Sequence, residues 1–190
     1  MSLDERLWFE YDDDNISNVR ILARPYDNIV IGSSPEKGMT LETARSFDIY
    51  INVSENAGYS YSDKRPRPDT RFYFAQVFEN EPWGYWPFYM SREVLDEAFT
   101  DKKRVYLHCH SGINRSPCIA MGWLMSRGHS IEEASDIIND SILGMSEINI
   151  EKFLSNQMLG FIPSRLDEMY ELQNNGKNMR EILDYLGVSF

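Results

Sequence analysis

The decapeptide HCHSGINRSP, His108 to Pro117, sets a cysteine six residues before an arginine and follows that arginine with a serine. These residue types at this spacing suit phosphoryl transfer. A loop joining a buried strand to a helix turns several backbone N–H groups toward one point, and the helix dipole adds positive potential there. The loop His110, Ser111, Gly112, Ile113, Asn114 has the makings of such an anion cradle, with Arg115 at its closing end. Gly112 lets the backbone turn its N–H groups inward and keeps a side chain out of the ligand's way. A cysteine at the base, Cys109, would have its thiolate stabilised by the same N–H groups and so act as a nucleophile. Arg115 can offer two parallel donors to phosphate oxygens, bonds that strengthen as charge builds there in the transition state. A hydroxyl at Ser116 could bond the sulfur and make it a better leaving group from a phosphocysteine. His108 and Asn114 are placed as supports, His108 on the face of its strand opposite to Cys109. The competing expectation for Cys109 is a packing role, since free cysteine is among the most buried residue types. The coincidence of His-Cys, the five-residue gap, the central glycine, Arg-Ser and the strand-to-helix context favours chemistry.

The surrounding pattern supplies those elements. Val105 to His108 is a short apolar strand, and Arg115 to Ser126 has Ile119, Trp123 and Leu124 at helical spacing, ended by Gly128. Ser130 opens another helix, with Glu133 completing a capping box. Upstream, Val19–Leu22 and Asn28–Gly32 read as strands around the turn RPYDN, Met39–Ser46 as a helix led in by Gly38, Ile49–Val53 as a strand, and Phe72–Val77 as another. SENAGYSYSDKRPRPD, 54–69, and ENEPWGYWP, 79–87, read as loops, and Ser91 as the N-cap of a helix through Val94, Leu95, Ala98 and Phe99. Beyond Ser146 the pattern is helical, broken near Gly160–Pro163 and at NNGK, Asn174–Lys177. Strands alternating with helices predict an α/β three-layer sandwich, with a central, mostly parallel sheet of about five strands flanked by helices.

The 190 residues suit a single domain. Its expected parts are an N-terminal extension over 1–18, a core over 19–160, and a C-terminal helical extension over 161–190 packed on that core. The composition, 42% hydrophobic and 26% charged, is that of a globular protein. MSLDERLWFEYDDD lacks the basic flank and apolar run of a signal peptide, and no stretch is long and apolar enough for a membrane helix, so a cytoplasmic location is expected. Two cysteines make no disulfide framework, which agrees with a reducing compartment. Nineteen basic residues against thirty acidic give a net charge of −11, which repels nucleic acid and anionic membrane. A phosphate site in such a chain must be a local positive pocket in a negative field.

HCHSGINRS resembles the signature His-Cys-x-x-Gly-x-x-Arg-Ser/Thr of the cysteine-dependent protein phosphatases. The segments IVIGS, YINVSE and MSRGHSIEEASDII are similar in order and spacing to the dual-specificity branch, so that the resemblance extends over roughly 28–159. It implies Cys109 as nucleophile, Arg115 as phosphate clamp, Ser116 as an aid to hydrolysis of the intermediate, and His110 to Asn114 as backbone donors. It implies no metal and no organic cofactor. The family also uses a general acid, normally an aspartate about thirty residues before the cysteine. Here that place falls on VFENE, with Glu79 as first choice, Glu81 as second and Asn80 between them. A glutamate's extra methylene moves the acid, and a misplacement near 1 Å costs on the order of a hundredfold in rate, so slow turnover is expected. Trp86-Pro87-Phe88 only imitates the Trp-Pro-Asp loop of tyrosine-specific phosphatases, since Phe88 has no proton to donate. Asp63 and Asp69 are more remote acids.

Four other features have two readings each. Lys64, Arg65, Arg67 and Arg71 form the densest basic run, suited to holding a phosphorylated partner or to a solvated loop. Tyr59, Tyr61, Trp83, Tyr85 and Trp86 could wall a phosphotyrosine pocket or pack their own loops. Cys118 is either a small core residue or a trap for oxidised Cys109. GKNMREILDYLGVS looks like the first half of a helix-turn-helix, but the acidic segment better suits an amphipathic hairpin packed on the domain.

The expected function is hydrolysis of phosphotyrosine, and of phosphoserine or phosphothreonine, in a phosphorylated protein substrate; the sequence leaves the oligomeric state unspecified. Two alternatives stand beside it. One is a phosphatase of RNA 5′-triphosphate, phosphoinositide or phosphoglucan; the other is a weakly active phosphoprotein-binding module.

Overall fold

The computed structural model describes residues 21–37, 39–55, 67–77, 85–112 and 115–141, with 168, 171, 172, 175–177, 181 and 185. Five strands, β1 (Ile21–Tyr26), β2 (Ile29–Gly32), β3 (Ile49–Asn52), β4 (Arg71–Phe74) and β5 (Val105–His108), form one sheet in the order β1-β2-β5-β3-β4. The β1–β2 pair is antiparallel, and β2–β5, β5–β3 and β3–β4 are parallel. Four α-helices with both ends among the described residues surround it: α1 (Leu41–Arg45), α2 (Tyr85–Asp101), α3 (Arg115–Ser126) and α4 (Ile131–Asp140). None of the helices among the described residues is long and apolar enough to cross a membrane.

β2, β3 and β5 are buried at all four positions, as strands of a parallel sheet covered on both faces must be. Their side chains alternate between two cores. Ile29, Ile31, Ile51 and Leu107 meet residues of α2, α3 and α4 in a large, mostly aliphatic core. Val30, Tyr50 and Tyr106 meet Met39, Ala44 and Phe47 at α1 on the other face. This is the expected three-layer sandwich.

Several boundaries differ from the sequence pattern. Pro25 was expected in a turn, yet β1 runs through it to Tyr26, with an irregular register between Ala23 and Tyr26. An edge strand tolerates this because the missing N–H costs the sheet no interior bond. α1 is shorter than expected, since the Thr40 hydroxyl accepts from the Thr43 N–H and caps it. β4 ends at Phe74, before Ala75–Val77. α2 begins at Tyr85, so Ser91 lies inside the helix and buried rather than at its cap. Pro87 does not break it, because the N–H groups of a first helical turn have no intrahelical partner to lose. The helix after β5 and the Ser130–Glu133 capping box lie where the pattern puts them.

Candidate active site

Gly32, His108, Asn52 and Phe74 stand side by side in register across four parallel strands. The segments after them, 33–34, 109–112, 53–55 and 75–77, therefore leave from one line at the carboxyl edge of the sheet. Open α/β sheets hold their ligands at that edge.

The loop after β5 is tied down on both sides. The Val53 N–H donates to the His108 carbonyl (2.8 Å), and the Ser34 N–H donates to the His110 carbonyl (3.1 Å). The Tyr106 hydroxyl, buried beneath, donates to the Ser33 carbonyl (2.7 Å). Cys109 is fully buried at the start of the loop. Its Sγ accepts from the Gly112 backbone N–H (3.2 Å), and the Ser116 hydroxyl lies 3.5 Å away as a second donor. An N–H and a hydroxyl are thus aimed at one sulfur.

Gly112 is required for a reason the sequence did not suggest. Its φ is +79°, and a Cβ there would stand 2.7 Å from the Gly32 carbonyl carbon and 2.8 Å from the Ser33 nitrogen. The missing side chain would strike the backbone after β2, so the glycine serves close approach of two loops as well as its left-handed conformation. His110 is exposed and Ser111 half-buried, while Ile113 and Asn114 lie outside the described residues.

Arg115 begins α3 and is only 6% exposed. Its Nη1 donates to the Val77 carbonyl (3.3 Å) and lies 3.4 Å from Oε1 of Glu55. Glu55 was not foreseen. The available signal was its position just beyond β3, beside β5 at the carboxyl edge of the sheet. Ser116 is fully buried next to Cys109.

His108 faces away from Cys109, against Tyr106 and Tyr50 with ring centroids 5.6 and 6.5 Å away. Burial pushes its pKa down to about 4, against a smaller opposing effect of the Cys109 carbonyl, which lies 3.3 Å from Nδ1. The ring is therefore neutral at neutral pH, and a carbonyl opposite Nδ1 requires the proton there.

Glu79, Asn80 and Glu81 lie outside the described residues, as do Asp63, Lys64, Arg65, Tyr59, Tyr61 and Trp83. Asp69 is exposed and paired with Arg67 (3.5 Å), away from the cysteine loop in its bonding. Arg67 also pairs with Asp48, and Arg71 with Glu97 (2.7 Å). Burial pushes Asp48 up, but the Arg104 N–H and the Arg67 guanidinium outweigh it and hold the carboxyl below its ordinary value. The two described arginines of the basic run thus brace the sheet edge. Tyr85 and Trp86 belong to the first turn of α2, and Phe88 is a core residue. Cys118 is buried in the same core as Cys109 and forms no disulfide. Near the C-terminus, Asn175 donates to the Glu171 carbonyl (3.0 Å) and Gly176 has φ +84°, which makes the NNGK turn. Most of the remaining C-terminal segment lies outside the described residues.

A mostly parallel five-strand sheet, with a glycine-containing cysteine loop feeding a buried helix, defines the class: an α/β domain of the phosphatase type. The chain belongs to the family described as dual specificity phosphatase, catalytic domain, which matches residues 29–158. Solved structures agree on the fold. Tk-PTP in its active form is similar with a TM-score of 0.58 at 21% identity, covering 71% of this chain and 92% of that one. Human DUSP28 gives 0.56 at 18% identity, over 80% and 96% of the two chains. PTPMT1 gives 0.55 at 15% identity, over 80% and 99%. Comparison with curated proteins gives no match.

Proposed function

We propose that this domain hydrolyses phosphate monoesters on protein side chains, phosphotyrosine first and phosphoserine or phosphothreonine with it, through a phosphocysteine intermediate. The observation that carries this proposal is the pair of donors converging on the Cys109 sulfur, from Gly112 and Ser116. In the first step the Cys109 thiolate attacks phosphorus as the ester P–O bond breaks, and Glu79 protonates the departing oxygen. In the second step the ionised Glu79 takes a proton from water, the water oxygen bonds phosphorus, and the thiolate leaves. The Ser116 hydroxyl stabilises the sulfur as its charge returns. Arg115 and the backbone of His110, Ser111, Gly112, Ile113 and Asn114 hold the equatorial oxygens, and neutral His108 supports the loop from behind. No step calls for a metal or an organic cofactor.

Glu79 is favoured over Glu81 because Val77, two residues before it, is bonded to Arg115. That contact starts the segment beside the clamp. The net charge of −11 argues against nucleic acid and anionic membrane as partners and suits a cytoplasmic protein acting on proteins. We read 1–190 as one domain with its core over 19–160, an extension over 1–18, and a helical extension over 161–190.

Hydrolysis of an aryl phosphate by wild type, Cys109→Ser and Glu79→Gln tests the mechanism. Cys109→Ser should be inactive, and Glu79→Gln should fall about a hundredfold or more at neutral pH. Equal rates in all three would overturn it. A parallel panel should show phosphopeptides turned over faster than RNA 5′-triphosphate or phosphoinositide; the reverse order would move the substrate out of the protein class.

A further inference from the structure

Arg115 is nearly buried, whereas the carboxylate paired with it is not: the Glu55 side chain is 47% exposed against 7% for Arg115. Glu55 therefore stands on the solvent side of the guanidinium, at the rim of the cradle. The rim is built. The Ser54 N–H and hydroxyl both donate to Asn52 Oδ1 (2.9 and 2.7 Å), and Gln76 Nε2 donates to the Glu55 carbonyl (3.0 Å). Together with the Val53–His108 bond, these fix the backbone that carries the carboxylate. A negative charge held there lowers the attraction between Arg115 and any incoming anion, and the penalty grows with the charge of that anion.

We propose that Glu55 is a specificity-determining residue, a rim carboxylate on Arg115 that disfavours ligands carrying charge beyond a single phosphate group. It deepens the proposed function and rests on the Cys109 loop being an oxyanion cradle. A phosphate monoester bears its charge at the floor of the cradle, where the backbone donors outweigh the one carboxylate paired with Arg115. A di- or triphosphate, or a second phosphate on the same headgroup, extends its charge outward past Glu55. The residue thus sets the site against polyphosphate substrates and in favour of isolated monoesters.

Binding of inorganic phosphate and of pyrophosphate to the full chain, measured by calorimetry at fixed ionic strength, tests this. Glu55→Gln keeps the size of the side chain and one acceptor oxygen and removes the charge. It should tighten phosphate about threefold and pyrophosphate about tenfold, because the electrostatic effect scales with ligand charge. Glu132→Gln, at an exposed carboxylate in the first turn of α4, serves as the control for net charge and should shift neither. If Glu55→Gln leaves both affinities unchanged, weakens them, or tightens them equally, the inference fails while the cradle stands. The same shift in Glu132→Gln also overturns it. If no variant binds phosphate, the proposed function fails, and this inference with it.

Discussion

The two faces of the sheet hold the end of β5 by different means. On the face of α2, α3 and α4 the contacts are mainly aliphatic, and Cys109 sits among them. On the face of α1 the contacts are aromatic with polar tips, and each tip has a directional bond. Tyr50 Oη donates to the Ala44 carbonyl (2.9 Å), Tyr106 Oη to the Ser33 carbonyl, and His108 Nδ1 faces the Cys109 carbonyl. Consecutive residues, His108 and Cys109, divide between the two. Aliphatic packing is non-directional and fixes volume, whereas a buried hydroxyl or ring N–H fixes an angle as well. The lesson is that the backbone on either side of the Cys109 sulfur is bonded from the opposite face of the sheet, at the Ser33 and Cys109 carbonyls, while the sulfur itself meets Gly112 and Ser116.

Three measurements would break or sharpen this contrast. The largest effect belongs to Gly112→Ala, where the loop meets the backbone after β2. The positive φ and the collision with Gly32 and Ser33 should together cost about 3–5 kcal/mol in denaturant unfolding, with at least about a hundredfold loss of turnover. Near-normal stability and rate would mean that the two loops separate easily and that the aromatic face does not hold the cradle.

The next effect is on acid stability. His108 has a pKa near 4 when folded and about 6.5 when unfolded, so below pH 6.5 the unfolded chain binds the extra proton first. Its contribution is full above pH 6.5 and is lost as pH falls toward 4, amounting to roughly 3 kcal/mol at pH 4. Denaturant midpoints across that window should fall with pH in wild type and much less steeply in His108→Gln. Identical slopes would show that the aromatic face does not bury a neutral imidazole.

The smallest effect is expected from Tyr106→Phe. Removing the hydroxyl leaves the Ser33 carbonyl without that donor and should cost about 1 kcal/mol, with turnover within about threefold. The Ser34–His110 bond still ties the loop in the variant. A larger loss of rate than of stability would move Tyr106 from a shared anchor to a dominant one.

The stretch from β5 through Gly112 to the helix at Arg115 was plainly legible, because a short apolar strand, a glycine with positive φ and helical spacing each restrict residue type. The helix from Arg115 and the capping box at Ser130 were equally plain, since each has a local hydrogen-bond logic written in adjacent residues. The start of α2 was not, because Pro87 and Ser91 carry loop and cap signals that tertiary burial overrides. Pro25 misled for the related reason that only the sheet order reveals β1 as an edge. Glu55 and the Val77 carbonyl were the least legible, since the position of Glu55 just beyond β3 is a signal only once the strand order is known. They meet Arg115 from 60 and 38 residues away in sequence, through the parallel register of β3, β4 and β5.

From Arg115 to Leu124, α3 is buried at ten consecutive positions. Such a helix has no solvent-facing stripe from which to fray, so its amides beyond the first turn should exchange hydrogen with water only when the whole domain opens. A pulse of deuterium would then label the segments of the rim long before it reaches the amides from Ile119 to Leu124. The lifetime of the helix behind the cradle is the lifetime of the fold.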